Sequence, residues 1–107
     1  DSYLDISGKN AYYEVDLGKK YHIQGINIWN RPIIKRTMMQ KGKIFISAKP
    51  FTTDNPTDIE KQAGVKTITL NEAVGFPSPI KTDTKGRYVR VVNMGDSEYA
   101  LGELEIY

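Results

Sequence analysis

The chain contains no cysteine and a single histidine, His22. Without cysteine there are no disulfides, no thiolate nucleophile and no cysteine-ligated metal. With one histidine there is no histidine cluster to hold a metal either. No apolar run approaches the roughly 20 residues that a membrane-spanning helix needs. No N-terminal stretch joins a basic start, an apolar segment and a small-residue cleavage site, so an export signal would lie outside this sequence. Neither sign of charge dominates: 15 basic and 13 acidic residues leave a net charge of +2. The basic residues are scattered rather than massed, which argues against nucleic acid as a partner. The one local excess is Lys35, Arg36, Lys41 and Lys43.

What is present is ordinary for a soluble fold: 107 residues, 39% hydrophobic and 26% charged. That length suits one domain around one core, spanning residues 1–107. Short runs rich in β-branched and aromatic residues recur between Gly, Pro, Asn and Asp, the spacing of an antiparallel sandwich or barrel. Over residues 12–17, Tyr13, Val15 and Leu17 alternate with Glu14 and Asp16, which predicts a half-buried strand that Gly18 ends in a turn. His22, in that turn, takes a surface or satisfied polar role. A second strand over residues 23–29 puts Ile26 and Ile28 on one face, Asn27 and Trp29 on the other. Pro32 stops it near Asn30, because proline cannot donate to a ladder.

Further strands are expected over residues 43–47, 66–70, 87–92 and 101–107. Their inward residues would be Ile44 and Ile46, Ile68 and Leu70, Val89 and Val91, and Leu104 and Ile106. In the fifth strand Tyr88, Arg90 and Val92 take the opposite face. Residues 50–64 are polar and read as an excursion, with one short helical stretch over 57–62 capped by Thr57 or Asp58. The fold class is all-β, an antiparallel β-sandwich with at most one short helix.

Catalytic equipment is sparse. Glu103 and Glu105 lie beside each other on one exposed strand face, with no acidic partner placed opposite and no nucleophile–base pair. The chain is not read as an enzyme.

Four stretches together carry a resemblance: Tyr12-Tyr13-Glu14-Val15-Asp16-Leu17-Gly18; Ile26-Asn27-Ile28-Trp29-Asn30-Arg31; Ile44-Phe45-Ile46-Ser47 with Pro50-Phe51; and Gly86-Arg87-Tyr88-Val89-Arg90-Val91 followed by residues 99–107. In order and approximate spacing they resemble the discoidin and coagulation-factor C-type domains, and with them the F-type lectins. The resemblance implies a galactose-binding-like jelly roll of two antiparallel sheets. It also implies a start later than is usual, since only residues 1–10 precede the first block. The expected function is a non-catalytic carbohydrate-binding module attached to a larger secreted or cell-surface protein, extracellular, with a glycan as partner.

In that family the loop after residues 26–30 lies at the rim beside the ligand. Arg31, Arg36 and Lys35 fall there, and an arginine fork can give two parallel hydrogen bonds to neighbouring hydroxyls. Trp29 and Tyr99 would add aromatic surface. The pattern of the fucose-binding members is not met: Pro32 and Ile33 replace the acidic residue after the first arginine, and no histidine precedes Tyr12. The resemblance therefore implies a sugar without naming it. Glu103 matches a position that helps hold the family's structural calcium, a cation wanting several oxygen ligands, and Asp1 and Asp5 would contribute. The alternative is adhesion to a protein or membrane surface, with Ile33, Ile34 and Met38 as an apolar contact.

Overall fold

The longest element of the computed structural model is β2, Tyr12–Asn30, and it pairs along most of its length with β5, Ser78–Asn93. The structure describes residues 4–30, 41–70, 78–95 and 100–107. The remaining elements are β1 (Leu4–Asp5), β3 (Gly42–Ser47), α1 (Pro56–Lys61), β4 (Lys66–Leu70) and β6 (Ala100–Ile106). All pairings are antiparallel, in the order β1-β6-β2-β5-β3-β4.

This one ladder makes two layers because β2 and β5 serve both. The first part of β2 pairs with the last part of β5, which continues to β3 and β4. The later part of β2 pairs with the start of β5 and with β6. β6 and β4 are separated by three strands, yet Leu104 and Ile106 pack on the same core cluster as Ile68 and Leu70. The sheet is thus folded onto itself around Ile23, Ile26, Ile28, Ile44, Ile46, Val89 and Val91, all essentially inaccessible to water. The all-β antiparallel sandwich expected from the sequence is the architecture found. Among the described residues, no helix is long and apolar enough to cross a membrane.

The sequence pattern divides β2 into two strands at Gly18; the structure joins them. Gly18 has φ +86°, the left-handed region that glycine tolerates, and its N–H donates to Asp16 Oδ1 at 2.8 Å. The register shifts between Asp16 and Tyr21, but β5 follows β2 past the shift, so the chain deflects where a reversal was expected. Arg87 of β5 fastens the deflection, its Nε 2.7 Å and Nη2 3.0 Å from the Asp16 carboxylate. His22 accordingly sits within the strand, paired with Asp83. A second shift, between Ile23 and Gly25, has a packing consequence. Ile23 and Ile26 are three residues apart and a regular strand would point them to opposite faces. On the other side of β2, Gln24 and Gly25 both donate their N–H to the Tyr107 carbonyl, at 2.6 and 2.8 Å, and this two-against-one bulge puts both isoleucines in the core.

β5 departs from simple alternation in the other direction. Val89 and Val91 face the main core, but Arg90 and Val92, expected outside, are 5% and 1% exposed. Residues 48–65 cover that outer face, where Phe45, Val92 and Ile59 of α1 form a second core flanked by Phe51 and Met94. The helix is capped by Asn55, two residues before Thr57 and three before Asp58, the caps expected. Asn55 Oδ1 accepts from the N–H of Thr57 at 2.9 Å and of Asp58 at 3.4 Å, and Pro56 takes the first turn, where its missing N–H costs nothing.

Arg90 fixes this cover to the sheet. Its guanidinium lies 4.0 Å from the Tyr12 ring centroid and 4.8 Å from that of Phe51. It donates to Glu14 from Nε at 2.8 Å and meets the same oxygen from Nη2 at 2.7 Å. Nη1 reaches the Thr53 carbonyl at 3.2 Å and Asp54 at 3.3 Å. Every face of the group is used, which is what makes its burial tolerable.

Two outcomes follow from these contacts. Arg90→Met leaves Glu14 and the Thr53 carbonyl without their donor and should cost about 2–4 kcal/mol, the lower part of the range reflecting Glu14's partial exposure. Urea denaturation reads it, and Glu14→Gln in the same background should add less than it does alone, because the two groups act as one unit. A loss below about 0.5 kcal/mol would mean the cover is held by its apolar contacts alone. The second outcome concerns Asp16, whose carboxyl is held below its ordinary value of 3.8, chiefly by the Arg87 hydrogen bond and then by the Gly18 N–H. A depressed native value contributes stability above the unfolded pKa and loses it as pH falls through the native one. The stability difference between wild type and Asp16→Asn should therefore be steady near neutrality and shrink below about pH 4. An NMR titration placing the Asp16 midpoint at or above 3.8 would remove the basis for it.

Candidate functional site

One end of the sandwich collects the passages between its layers. Residues 31–40 lead from Asn30 of β2 to Lys41, just before β3. Residues 71–77 lead from Leu70 of β4 to Ser78 of β5, and residues 94–99 from β5 to β6. In the first layer Gly42 is paired with both Leu70 and Asn93; in the second, Ser78 lies across from Ile28 and Leu101 from Asn30.

Asn93 locks the two margins together. It is fully buried, and its Nδ2 donates to the Ile6 carbonyl at 2.9 Å, immediately after β1. Its backbone N–H donates to the Ala11 carbonyl at 2.8 Å, and its carbonyl accepts from the Asn10 N–H at 2.7 Å. Its Oδ1 accepts from the Gly95 N–H at 3.1 Å, and the Met94 N–H donates to the Lys41 carbonyl at 2.9 Å. The chain around residues 6–11, 41 and 93–95 is thereby held in one frame.

Beside this frame lies a concavity of about 410 Å³ lined by Lys9, Lys41, Lys43, Thr69, Leu70 and Met94. The volume falls within the roughly 300–1,000 Å³ of small-molecule sites. Lys9 and Lys41 are exposed, while Lys43 is partly buried and its ammonium is paired with Glu60 of α1. Leu70 packs on the main core and Met94 on the outer one, so the apolar part of the lining is anchored from behind.

Of the residues singled out in the sequence, Arg31, Lys35, Arg36, Tyr99 and Asp1 lie outside the described residues, as do Ile33, Ile34 and Met38 of the alternative reading. Trp29 is the penultimate residue of β2 and is opposite Glu103 of β6 in the register. Glu103 is exposed. Calcium needs about six to eight oxygen ligands, and among the described residues no group of three or more carboxylate or imidazole side chains is gathered to hold a metal. Glu105, also exposed, accepts a hydrogen bond from Asn27 Nδ2 at 2.8 Å across the β2–β6 pair. That is the environment of a cross-strand surface pair.

Lys41 and Lys43 are legible in the sequence as part of a basic cluster; their neighbours Lys9, Thr69, Leu70 and Met94 are not. The six residues come from four separate stretches, brought together by the pairing of β3 with β4 and β5 and, for Lys9, by the Asn10 N–H on the Asn93 carbonyl. Asn93 had a faint signal, a polar amide closing the run Val89-Arg90-Val91-Val92.

No protein-family model matches the chain, and no curated protein matches it. Solved structures do. A fucose-binding module of Streptococcus pneumoniae, SpX-3, superposes with a TM-score of 0.74 at 18% identity, covering 98% of this chain and 71% of that one. Chitosan-binding module 1 from a Paenibacillus sp. IK-5 chitosanase/glucanase gives 0.60 at 20% identity, over 90% of this chain and 68% of that one. The Clostridium perfringens module CpGH89CBM32-6 gives 0.50 at 20% identity, over 94% and 78%. The galactose-binding-like sandwich of these carbohydrate-binding modules is therefore the fold of this chain across nearly its whole length.

Proposed function

We propose that the chain is a non-catalytic carbohydrate-binding module that holds a glycan at the rim where the layers interconnect, as an appendage of a larger secreted or cell-surface protein. The observation that carries this reading is the sandwich shared, over 98% of the chain, with a module described as fucose-binding. Two more features support it. The carboxylates Glu103 and Glu105 are exposed on β6, and Glu105 accepts from Asn27 Nδ2 as one half of a cross-strand surface pair. The rim concavity combines polar and apolar lining, the mixture a sugar requires, since a pyranose offers hydroxyls at its edge and C–H groups on its faces.

In this reading Arg31 and Arg36 supply planar donor forks to adjacent hydroxyls and Lys35 a third donor. Trp29 and Tyr99 offer aromatic surface to the ring. Calcium belongs to the same reading as a structural ion, with Glu103 and Asp1 each giving a carboxylate. A shallow rim site of this kind binds weakly per copy, roughly micromolar to millimolar, and gains strength through repetition on a glycan-bearing surface.

A glycan array probed with the chain, in calcium and again in chelator, tests the reading. A defined terminal sugar should be bound, and loss of that signal in chelator would assign the ion a part in the fold or site. A blank array under both conditions, with the chain folded by circular dichroism, would overturn the reading and favour adhesion through Ile33, Ile34 and Met38. On the sugar so identified, Arg31→Ala should weaken binding at least about tenfold, the loss of one bidentate charge-assisted contact, with the thermal midpoint unchanged. Wild-type affinity in that variant would move the site away from Arg31.

A further inference from the structure

We infer that the rim concavity between β3, β4 and the end of β5 is a subsite for an acidic sugar, one bearing a carboxylate or a sulfate ester. The inference rests on the carbohydrate-binding reading and narrows its ligand class.

Three of the described residues lining the concavity are lysines, and none of those described is acidic. That is a local imbalance in a chain whose overall charge is only +2. Among the described residues, the carboxylate of Glu60 is committed to Lys43. Among the described residues no carboxylate is paired with Lys9 or Lys41, so two ammonium groups remain for a ligand. Each ammonium brings three donors and no acceptor, which suits an anion's oxygens.

Both lysines stand on positioned backbone. Lys9 lies between Gly8, φ +93°, and Asn10, φ +68°, in a turn closed by the Ala11 N–H on the Gly8 carbonyl at 3.3 Å and tied to Asn93 through the Asn10 N–H. Lys41 is held by the Met94 N–H on its carbonyl. A pair of charges fixed this way loses less freedom on binding than two lysines on loose chain. The rest of the lining suits a sugar rather than a bare ion. Thr69 adds an exposed hydroxyl, and Leu70 and Met94 present anchored apolar surface to a ring face. A pyranose with an acidic group would set the acid between Lys9 and Lys41 and its C–H face on Leu70 and Met94.

The experiment is an amide NMR titration of the chain with an oligogalacturonate and, separately, with its fully methyl-esterified form, which keeps the ring and loses the charge. A sulfated galactose oligosaccharide and its desulfated form make a second pair, distinguishing sulfate from carboxylate. At least one acidic member should shift the amides of Lys41, Gly42, Thr69, Leu70 and Met94 and bind about tenfold or more tightly than its neutral partner. Raising salt from about 0.05 to about 0.5 M should erode that preference, as exposed charges are screened. Lys9→Gln with Lys41→Gln should bring each acidic member to within about twofold of its neutral partner without lowering the thermal midpoint, both side chains being exposed. Lys85→Gln, exposed on β5 near the deflection, should change nothing.

Equal binding of acidic and neutral members, shifts confined to other residues, or a preference that survives the double substitution would each overturn the inference. Failure of all four sugars to bind would overturn it too. In every one of these cases a hit for a neutral sugar on the glycan array would leave the carbohydrate-binding reading intact.

Discussion

The pairing of β2 with β5 is the constraint on which the other elements depend. It carries the register through both layers, from Tyr12 opposite Val92 to Ile28 opposite Ser78. Side chains alternate along a strand, so a slip of one residue would turn Ile26 and Ile28 toward water and Asn27 into the core. Among the described residues β3 pairs only with β4 and β5, and β6 only with β1 and β2, so no other pairing there bypasses this one. The register is held by apolar burial at Ile23, Ile26 and Ile28 and by polar closure at the deflection, where Asp16 meets Arg87 and His22 meets Asp83. Close contact adds a further restriction at Gly86, where a methyl group would come within 2.5 Å of the buried Ile46 side chain.

Continuity of that ladder also separates the two ends of the molecule by purpose. At the deflected end the chain passes between layers as hydrogen-bonded strand, with bulges absorbing the change of direction. At the opposite end three connections lead from strands of one layer to strands of the other. Ligand-reading residues accumulate on such segments because a scaffold can hold them while their composition varies. Asn93 joins the two regimes: it belongs to β5, yet its side chain reaches Ile6 and its neighbour Met94 fastens Lys41.

The strands were legible in the sequence because alternation and burial are the same fact seen twice. Ile44 with Ile46, Val89 with Val91, and Leu104 with Ile106 fell where period two put them. Features set by a third body were not legible. Arg90 alternates with valines and so reads as solvent-facing; its burial depends on residues 48–65, which carry no signal of lying across β5. The break at Gly18 was visible, but whether a chain reverses or deflects there is decided by the partner strand, where Arg87 lies 71 residues beyond Asp16. The cap was misplaced by favouring hydroxyl and carboxylate side chains over the Asn55-Pro56 pair. Of the candidate site, Lys41 and Lys43 were legible as local charge. Lys9, Thr69 and Met94 were not, since no linear pattern relates them.

Fold and ligand come apart in this group of structures. Modules described as fucose-binding and chitosan-binding superpose on this chain at 18% and 20% identity, so one sandwich is compatible with a neutral deoxysugar and with a polymer of aminosugars. What differs must therefore be the side chains presented at the surface. In this chain β3 holds one such side chain, Lys43, on a strand packed on both faces, by the main core through Ile44 and Ile46 and by the outer core through Phe45. A binding group on a strand so held keeps its position better than one on a connecting segment. Lys43 belongs to that strand and Lys41 immediately precedes it, with the outer cover and its Arg90 clamp as the backing. The clamp and the cleft are then parts of one device. Burying Arg90 fixes the cover, the cover fixes the outer face of β3, and β3 sets where the lysines stand at the rim.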